Sequence, residues 1–225
     1  MRPRLKISGS LLGLLLLAGP TASLALAQCP NNTIDVCGVL VSNAPSYSAS
    51  GCDAASMGTG SYNLPSGMVS AQSNADYPDG YSYAHVTTED VYRLVGPPTS
   101  ALISFSADLQ AHGQGSSYYC TSASGSATLR SGTSQQVATF HGSSCQGEGI
   151  DQTLSLPQLR SVGESFHLVM DVVASASPGA SASMDGSLSF SGLPPGYAIE
   201  SCQGYVSNPT PSRPVSWGRL KLRYR

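Results

Sequence analysis

The segment from residue 118 to 145 constrains the fold more than any other part of the chain. It alternates small polar and apolar residues on either side of a central Ser-Gly-Thr-Ser turn, a pattern that predicts two antiparallel strands joined as a hairpin. If Arg130 pairs with Gln135, the same register carried outward places Cys120 directly opposite Cys145. Residues that face each other across a hairpin have the short separation that a disulfide requires. The register therefore predicts a Cys120–Cys145 disulfide.

The two faces of this hairpin differ in character. One face is apolar, with Leu129 turned toward the core and Phe140 lying over Gly125. The other face is made of small polar residues and carries the two cysteines. We therefore expect the cystine on the outward side, where it restricts the unfolded chain and does not take part in chemistry.

The start of the sequence has the pattern of a secretory signal over residues 1–27. A positively charged beginning is followed by an apolar run and by Ala25-Leu26-Ala27, which is typical of a cleavage site. Gln28 stands where a bacterial lipoprotein has a small residue before its cysteine, which disfavours lipid attachment. No later stretch approaches the roughly 20 apolar residues of a membrane-spanning helix. We expect a secreted protein, periplasmic or extracellular.

All six cysteines follow the predicted signal, and an even number in an oxidising compartment predicts three disulfides. With Cys120 paired to Cys145, the other four cysteines allow three pairings. The pairing we favour joins Cys29 to Cys37 and Cys52 to Cys202. No cysteine spacing is typical of a zinc site.

Strict alternation of apolar and polar residues predicts an antiparallel, all-β fold. Residues 101–112 form a half-buried strand, and residues 164–175 are apolar on both faces, which is typical of a central strand. Pro157 places its strand at an edge or a bend. About eight short strands, without an amphipathic helix, predict an antiparallel β-sandwich of jelly-roll type over residues 28–206.

The N-terminal part of this domain gives weaker patterns. Residues 33–41 are rich in β-branched side chains and predict a single first strand. Residues 42–60 and 74–83 are rich in Ser, Gly and Ala or in Tyr and Asp, and we expect loops there.

After the domain, residues 207–225 form a Pro-rich linker and a basic C-terminal tail. The tail could attract an anionic envelope surface, dock as a solvated final strand, or be recognised by export machinery. The sequence does not distinguish among these three. Charged residues make up 11% of the chain, and so sparse a charge argues against a nucleic-acid partner.

No pattern of catalytic residues is present, so we expect a protein that is not an enzyme. The G-x-S-x-G nucleophile motif, the HExxH zinc motif and phosphate-binding Gly-rich loops are all absent from the sequence. The four histidines lie in predicted strands, and we interpret them as solvated side chains on outward faces: His85, His112, His141 and His167.

Two ligand sites are predicted in the loop at 74–83. Asn74, Asp76 and Asp79 supply oxygen atoms of the kind that calcium prefers, although ordinary turn formation explains them too. A glycan site is predicted around Tyr77, Tyr81 and Tyr83, since sugars stack on exposed aromatic rings. Tyrosines of this kind also cover hydrophobic edges while their hydroxyls stay hydrated.

From residue 90 to 205 the succession of motifs resembles a family of exported bacterial sandwich domains. The motifs are DVYRLVGPP, ISFSADLQAHG, SASGSATL, VGESFHLVMDVVASA and ASMDGSLSFSGLPPGYAIESCQGY. Domains of this kind are found in secreted proteins that carry a PEP-CTERM sorting tail. This chain has a short basic end in place of that tail's apolar helix. The resemblance implies a bacterial secreted non-enzyme and carries no site residues.

The sequence as a whole predicts a non-catalytic structural or adhesive module of the bacterial envelope or extracellular matrix. The alternative is a module that binds calcium or carbohydrate, with a glycan or the cell-envelope surface as its partner. No cofactor other than calcium is suggested.

Overall fold

A computed structural model describes residues 29–36, 38–51, 56–76, 78–142, 145 and 147–207. Within these ranges the chain forms thirteen β-strands and one short 3-10 turn. The strands are β1 (Asn32–Asp35), β2 (Val39–Ser42), β3 (Ser46–Gly51), β4 (Ser56–Asn63), β5 (Met68–Ala75), β6 (Ser82–Val95), β7 (Ile103–Ser117), β8 (Ala123–Ser131), β9 (Ser134–Gly142), β10 (Glu148–Arg160), β11 (Ser165–Ala176), β12 (Ala180–Ser191) and β13 (Ala198–Ser201).

The strands form two antiparallel sheets that pack face to face, which confirms the predicted β-sandwich. The first sheet has the order β2-β1-β6-β11-β8-β9, and β13 pairs with β6 beyond the end of β1. The second sheet has the order β10-β7-β12-β5-β4-β3. The predicted signal and the basic tail lie outside the described residues. Among the described residues no helix is long and apolar enough to cross a membrane.

The core lies between the two sheets and follows from the period of two in the strands. In β7 the residues Ile103, Phe105 and Leu109 are buried while their neighbours face solvent. Strand β11 lies between β6 and β8, which confirms the prediction of a central strand. Pro157 lies in β10 at the edge of the second sheet, also as predicted.

The predicted hairpin is formed by β8 and β9, with the predicted register. Arg130 pairs with Gln135 and the ladder continues without a bulge to Ala123 and Gly142. Phe140 is buried against Gly125, whereas Cys120 and Cys145 are exposed. These two cysteines form a disulfide with a Cα–Cα distance of 4.4 Å, so the prediction from register is confirmed.

The predicted pairing of Cys29 with Cys37 is wrong, because Cys29 forms a disulfide with Cys202 at a Cα–Cα distance of 5.7 Å. Strand β1 is extended and carries the chain away from Cys29, whereas β1 and β13 pair with β6 on its same side. The favoured Cys52–Cys202 pair is excluded by the same disulfide. Cys37 and Cys52 themselves lie outside the described residues.

Other expectations for the N-terminal part are also wrong. The single strand at 33–41 is two short strands, β1 and β2, that pair as a hairpin. The carboxylate of Asp35 accepts a hydrogen bond from the backbone N–H of Gly38 (3.2 Å), which stabilises the turn between them. The expected loop at 42–60 contains β3 and most of β4, so the estimate of about eight strands was too low.

Candidate functional site

A groove of about 860 Å³ lies on the outer face of the second sheet. Its lining comes from five adjacent strands: β4, β5, β12, β7 and β10. Because residues directly opposite each other in antiparallel strands share a face, the pairing of these strands fixes which side chains meet in the groove.

The middle of the groove is a trough along β12. Ser183 pairs with Gln72 of β5 on one side and with Gln114 of β7 on the other. Two residues earlier, Ser181 pairs with Asn74 and with Ser116 in the same way. Short serines therefore form the floor, and longer amide side chains rise on the two walls.

The amide side chains on these walls have hydrogen-bonding capacity to spare. In the part of the chain that the structure describes, the side chains of Gln72, Asn74 and Gln114 make no hydrogen bond. On the floor, the hydroxyls of Ser116 and Ser181 lie 2.8 Å apart and bond to each other. Each amide offers two N–H donors and a carbonyl acceptor. The trough can therefore both donate to and accept from a polar ligand.

One end of the trough is lined by ionisable side chains. His112 of β7 pairs with Asp185 of β12 and, on its other side, with Asp151 of β10. The amide of Gln110 donates to Asp151 over 3.5 Å. This end therefore combines carboxylates with an imidazole.

The other end of the trough lies beside an exposed pair of aromatic rings. Tyr118 and Tyr119 follow β7 directly, and their side chains are 83% and 50% exposed. Their rings pack edge to face with centroids 4.9 Å apart. The backbone N–H of Tyr118 donates to the carbonyl of Gly179 (3.0 Å), two residues before Ser181, which fixes the pair at this end.

Sequence reasoning missed this groove, because its residues lie on five strands spread from residue 57 to residue 183. The alternation within each strand marks its outward residues, but only the order of strands in the sheet brings those residues together. Tyr118 and Tyr119 were assigned to the hairpin, although two adjacent tyrosines that end a half-buried strand are a usable signal for an exposed aromatic site.

The residues predicted to bind calcium are placed close to the groove. Asn74 is in its wall, and Asp76 and Asp79 are exposed in the turn after β5, where the N–H of Gly80 donates to the carbonyl of Asp76 (3.0 Å). Among the described residues, no three His, Cys, Asp or Glu side chains are grouped as metal ligands. Calcium binding stays a prediction.

The predicted tyrosine site lies on the opposite side of the sandwich. Tyr77 is outside the described residues, whereas Tyr83 lies on β6 in the first sheet, with Tyr81 just before that strand. The Tyr81 hydroxyl lies 3.0 Å from the hydroxyl of Ser175 on β11. Burial raises the pKa of Tyr83, and the nearby carboxylates of Asp35 and Asp171 raise it further. Asn74, from the predicted calcium set, and the predicted tyrosines Tyr81 and Tyr83 therefore lie on different sides of the protein.

His85, also on the outer face of the first sheet, is in a hydrogen-bonded cluster that sequence reasoning missed. Its Nε2 lies 2.7 Å from Asp171 Oδ2 and 3.0 Å from the hydroxyl of Thr87, which itself donates to Asp171 over 2.8 Å. The interpretation of His85 as a merely solvated side chain is therefore wrong. A catalytic triad uses the two different ring nitrogens for the carboxylate and the nucleophile, whereas here one nitrogen faces both.

The Asp171 carboxylate has its own balance of forces. Burial alone would raise its pKa, but the hydrogen bonds from His85 and Thr87 hold the pKa below its ordinary value. A second histidine, His167, lies 2.9 Å from the carboxylate of Glu89 on the same face. Both contacts join side chains on neighbouring strands of the sheet.

Comparison with known proteins finds a likeness only to solved structures. No protein-family model matches the sequence. No curated protein matches it either. Among solved structures, TmCBM61 in complex with beta-1,4-galactotriose is similar, with 11% identity over 64% of this chain and 87% of that chain, at a TM-score of 0.30. A likeness of this size carries no argument about function.

Proposed function

We propose that this protein is an exported, non-catalytic β-sandwich that binds a glycan in the groove on its second sheet. The observation that carries the proposal is the trough along β12, where the amides of Gln72, Asn74 and Gln114 stand over a floor of serines. No hydrogen bond occupies these amides within the described ranges.

The chemistry of the trough suits sugars better than other small ligands. Sugar hydroxyls are both donors and acceptors and are closely spaced along a chain, so they match alternating amide and serine groups. An apolar ligand would leave those amides without partners, which costs about 1–3 kcal/mol for each polar group that is buried. The exposed rings of Tyr118 and Tyr119 add a surface on which a sugar ring can stack.

This proposal unites the two functions that the sequence predicts. A secreted sandwich that holds a polysaccharide serves as an adhesive module of an envelope or matrix, without catalysis. The disulfides Cys29–Cys202 and Cys120–Cys145 support a location in an oxidising compartment, such as the periplasm or the extracellular space.

A glycan array followed by titration calorimetry on the full chain tests the proposal. We expect at least one neutral or amino-sugar oligosaccharide to bind, and the double change Gln72→Ala and Gln114→Ala to weaken it about tenfold or more, from the loss of two sets of hydrogen bonds. Repeating the titration with calcium and with a chelator tests the predicted metal.

A matched control is available on the first sheet. Gln135 and Gln136 are exposed on β9, which belongs to the other sheet, and their replacement by alanine should leave affinity unchanged. If no glycan binds, or if both double variants bind as the unmodified protein does, the proposal is wrong. A purely structural role would then be left.

A further inference from the structure

We infer that the groove prefers glycans with free amino groups over their neutral counterparts and rejects acidic ones. This inference rests on the proposed glycan binding and concerns which class of sugar the groove selects. The site is the amide-walled trough itself, and its surrounding charges set the selectivity.

Two carboxylates, Asp151 and Asp185, lie at the groove. Asp151 is an exposed side chain that lines it and pairs with His112. Asp185 follows Ser183 on the same face of β12, at the end of the trough. In the described chain neither of these two carboxylates belongs to a salt bridge, so their charges are not neutralised by the protein there.

The arginines of the described domain do not offset these negative charges at the groove. Residues 29–207 contain three, and none of them lines the groove. Arg93 lies 3.5 Å from Glu200, and Arg160 lies 3.7 Å from Glu164. Arg130 is on β8 in the first sheet, where its charge acts on Asp171. Among the described residues, the charges at the groove are therefore negative, apart from any charge on His112.

Each carboxylate is expected to have a small effect on the affinity for a charged sugar. An exposed ion pair is worth about 0.2–1 kcal/mol, and salt screens it within about 10 Å at moderate ionic strength. We therefore expect each carboxylate to favour a protonated amine by up to about fivefold. A uronic acid chain carries the opposite charge and meets repulsion of similar size.

Two oligosaccharides that differ only at nitrogen provide the test. The probes are a β-1,4-linked N-acetylglucosamine pentamer and the same pentamer after full deacetylation, titrated into the full chain at mildly acidic pH, where the free amine is protonated. We expect the deacetylated chain to bind about fivefold or more tightly, with the difference falling at high salt. An oligogalacturonate should bind more weakly than either.

Variants assign the effect to the groove. Asp151→Asn and Asp185→Asn should each reduce the preference for the deacetylated chain over the acetylated chain by about two- to fivefold. Glu200→Gln on the first sheet is the matched control and should not change the preference.

The outcomes separate this inference from the proposed function. If the two pentamers bind equally, or if only other neutral glycans bind, the groove binds sugars but the inference about amino groups is wrong. If no glycan binds at all, the proposed function fails and the inference falls with it. A preference that survives in both groove variants places the selecting charge elsewhere and also overturns the inference.

Discussion

The side-chain amide of Asn32 donates a hydrogen bond to Gln203 Oε1 over 3.0 Å, although the two residues are 171 positions apart. The carbonyl of the Asn32 side chain accepts from the backbone N–H of Glu89 (3.0 Å), and the Gln203 amide donates to the carbonyls of Pro30 (3.0 Å) and Glu89 (3.3 Å). Both amide side chains are buried. Two amides thus fasten the N-terminal strand and the segment after β13 to the same stretch of β6.

Removing the side-chain amide of Asn32 should destabilise the whole sandwich. We expect Asn32→Ala to lower the free energy of unfolding by about 1–3 kcal/mol, because Gln203 Oε1 and the Glu89 N–H lose the partner that Asn32 supplies. Urea denaturation measures the change. The neighbouring Asn31 is exposed, so Asn31→Ala should leave the midpoint where it is. Equal midpoints for the two variants would contradict the role of Asn32.

The two disulfides should differ in how much they stabilise the fold. Cys29 and Cys202 are 173 residues apart, whereas Cys120 and Cys145 are 25 apart. Loop-closure entropy predicts a loss of about 5 kcal/mol when the first is removed and about 3–4 kcal/mol for the second. Paired Cys→Ser variants compared by guanidinium denaturation check this order. A larger loss for the hairpin pair would show that chain entropy does not decide the difference.

The packing of Phe140 gives a third prediction. A Cβ atom added at Gly125 would lie 2.5 Å from Phe140 Cε1 and 3.0 Å from the Val173 carbonyl oxygen. We expect Gly125→Ala to cost about 1–3 kcal/mol of stability by overpacking the core. Ser124→Ala, on the outer face of the same strand, should cost much less. Combining Gly125→Ala with Phe140→Leu should recover part of the loss if the clash is the cause.

Three elements were predictable from the sequence: the β8–β9 hairpin, the central strand β11, and the edge strand β10 that contains Pro157. Each depends on local alternation or on one turn, and Phe140 opposite Gly125 follows from the same register. The strands β3 and β4 were missed because serine, glycine and alanine have weak strand propensity, and tertiary pairing with β5 overrides it.

The Cys29–Cys202 disulfide and the groove could not be predicted, for a shared reason. Both depend on which strands become neighbours after folding, and the period of two within a strand carries no information about its neighbours. Asn74 is an example of what alternation within a strand does and does not predict. Its outward position follows from alternation, but its place opposite Ser181 follows only from the pairing of β5 with β12.

The His85–Asp171 pair gives the last prediction, a dependence of stability on pH. The hydrogen bond between the His85 ring and the Asp171 carboxylate raises the pKa of His85, and burial opposes that rise only in part. Because the folded pKa lies above the unfolded value of about 6.5, protonated His85 stabilises the fold fully below that pH. This contribution is lost as the pH rises through the folded pKa. The lowered pKa of Asp171 acts at the acid side, where its contribution is lost as the pH falls through the folded value.

NMR titration of the His85 ring and thermal melts across pH check this prediction together. Both side chains are about one-third exposed, so solvent screening keeps the change in stability modest, below about 1 kcal/mol. Asp171→Asn should lower the pKa of His85 and flatten the fall in melting temperature above neutral pH. If His85 titrates at the same pH in this variant, the hydrogen bond with Asp171 does not control its protonation.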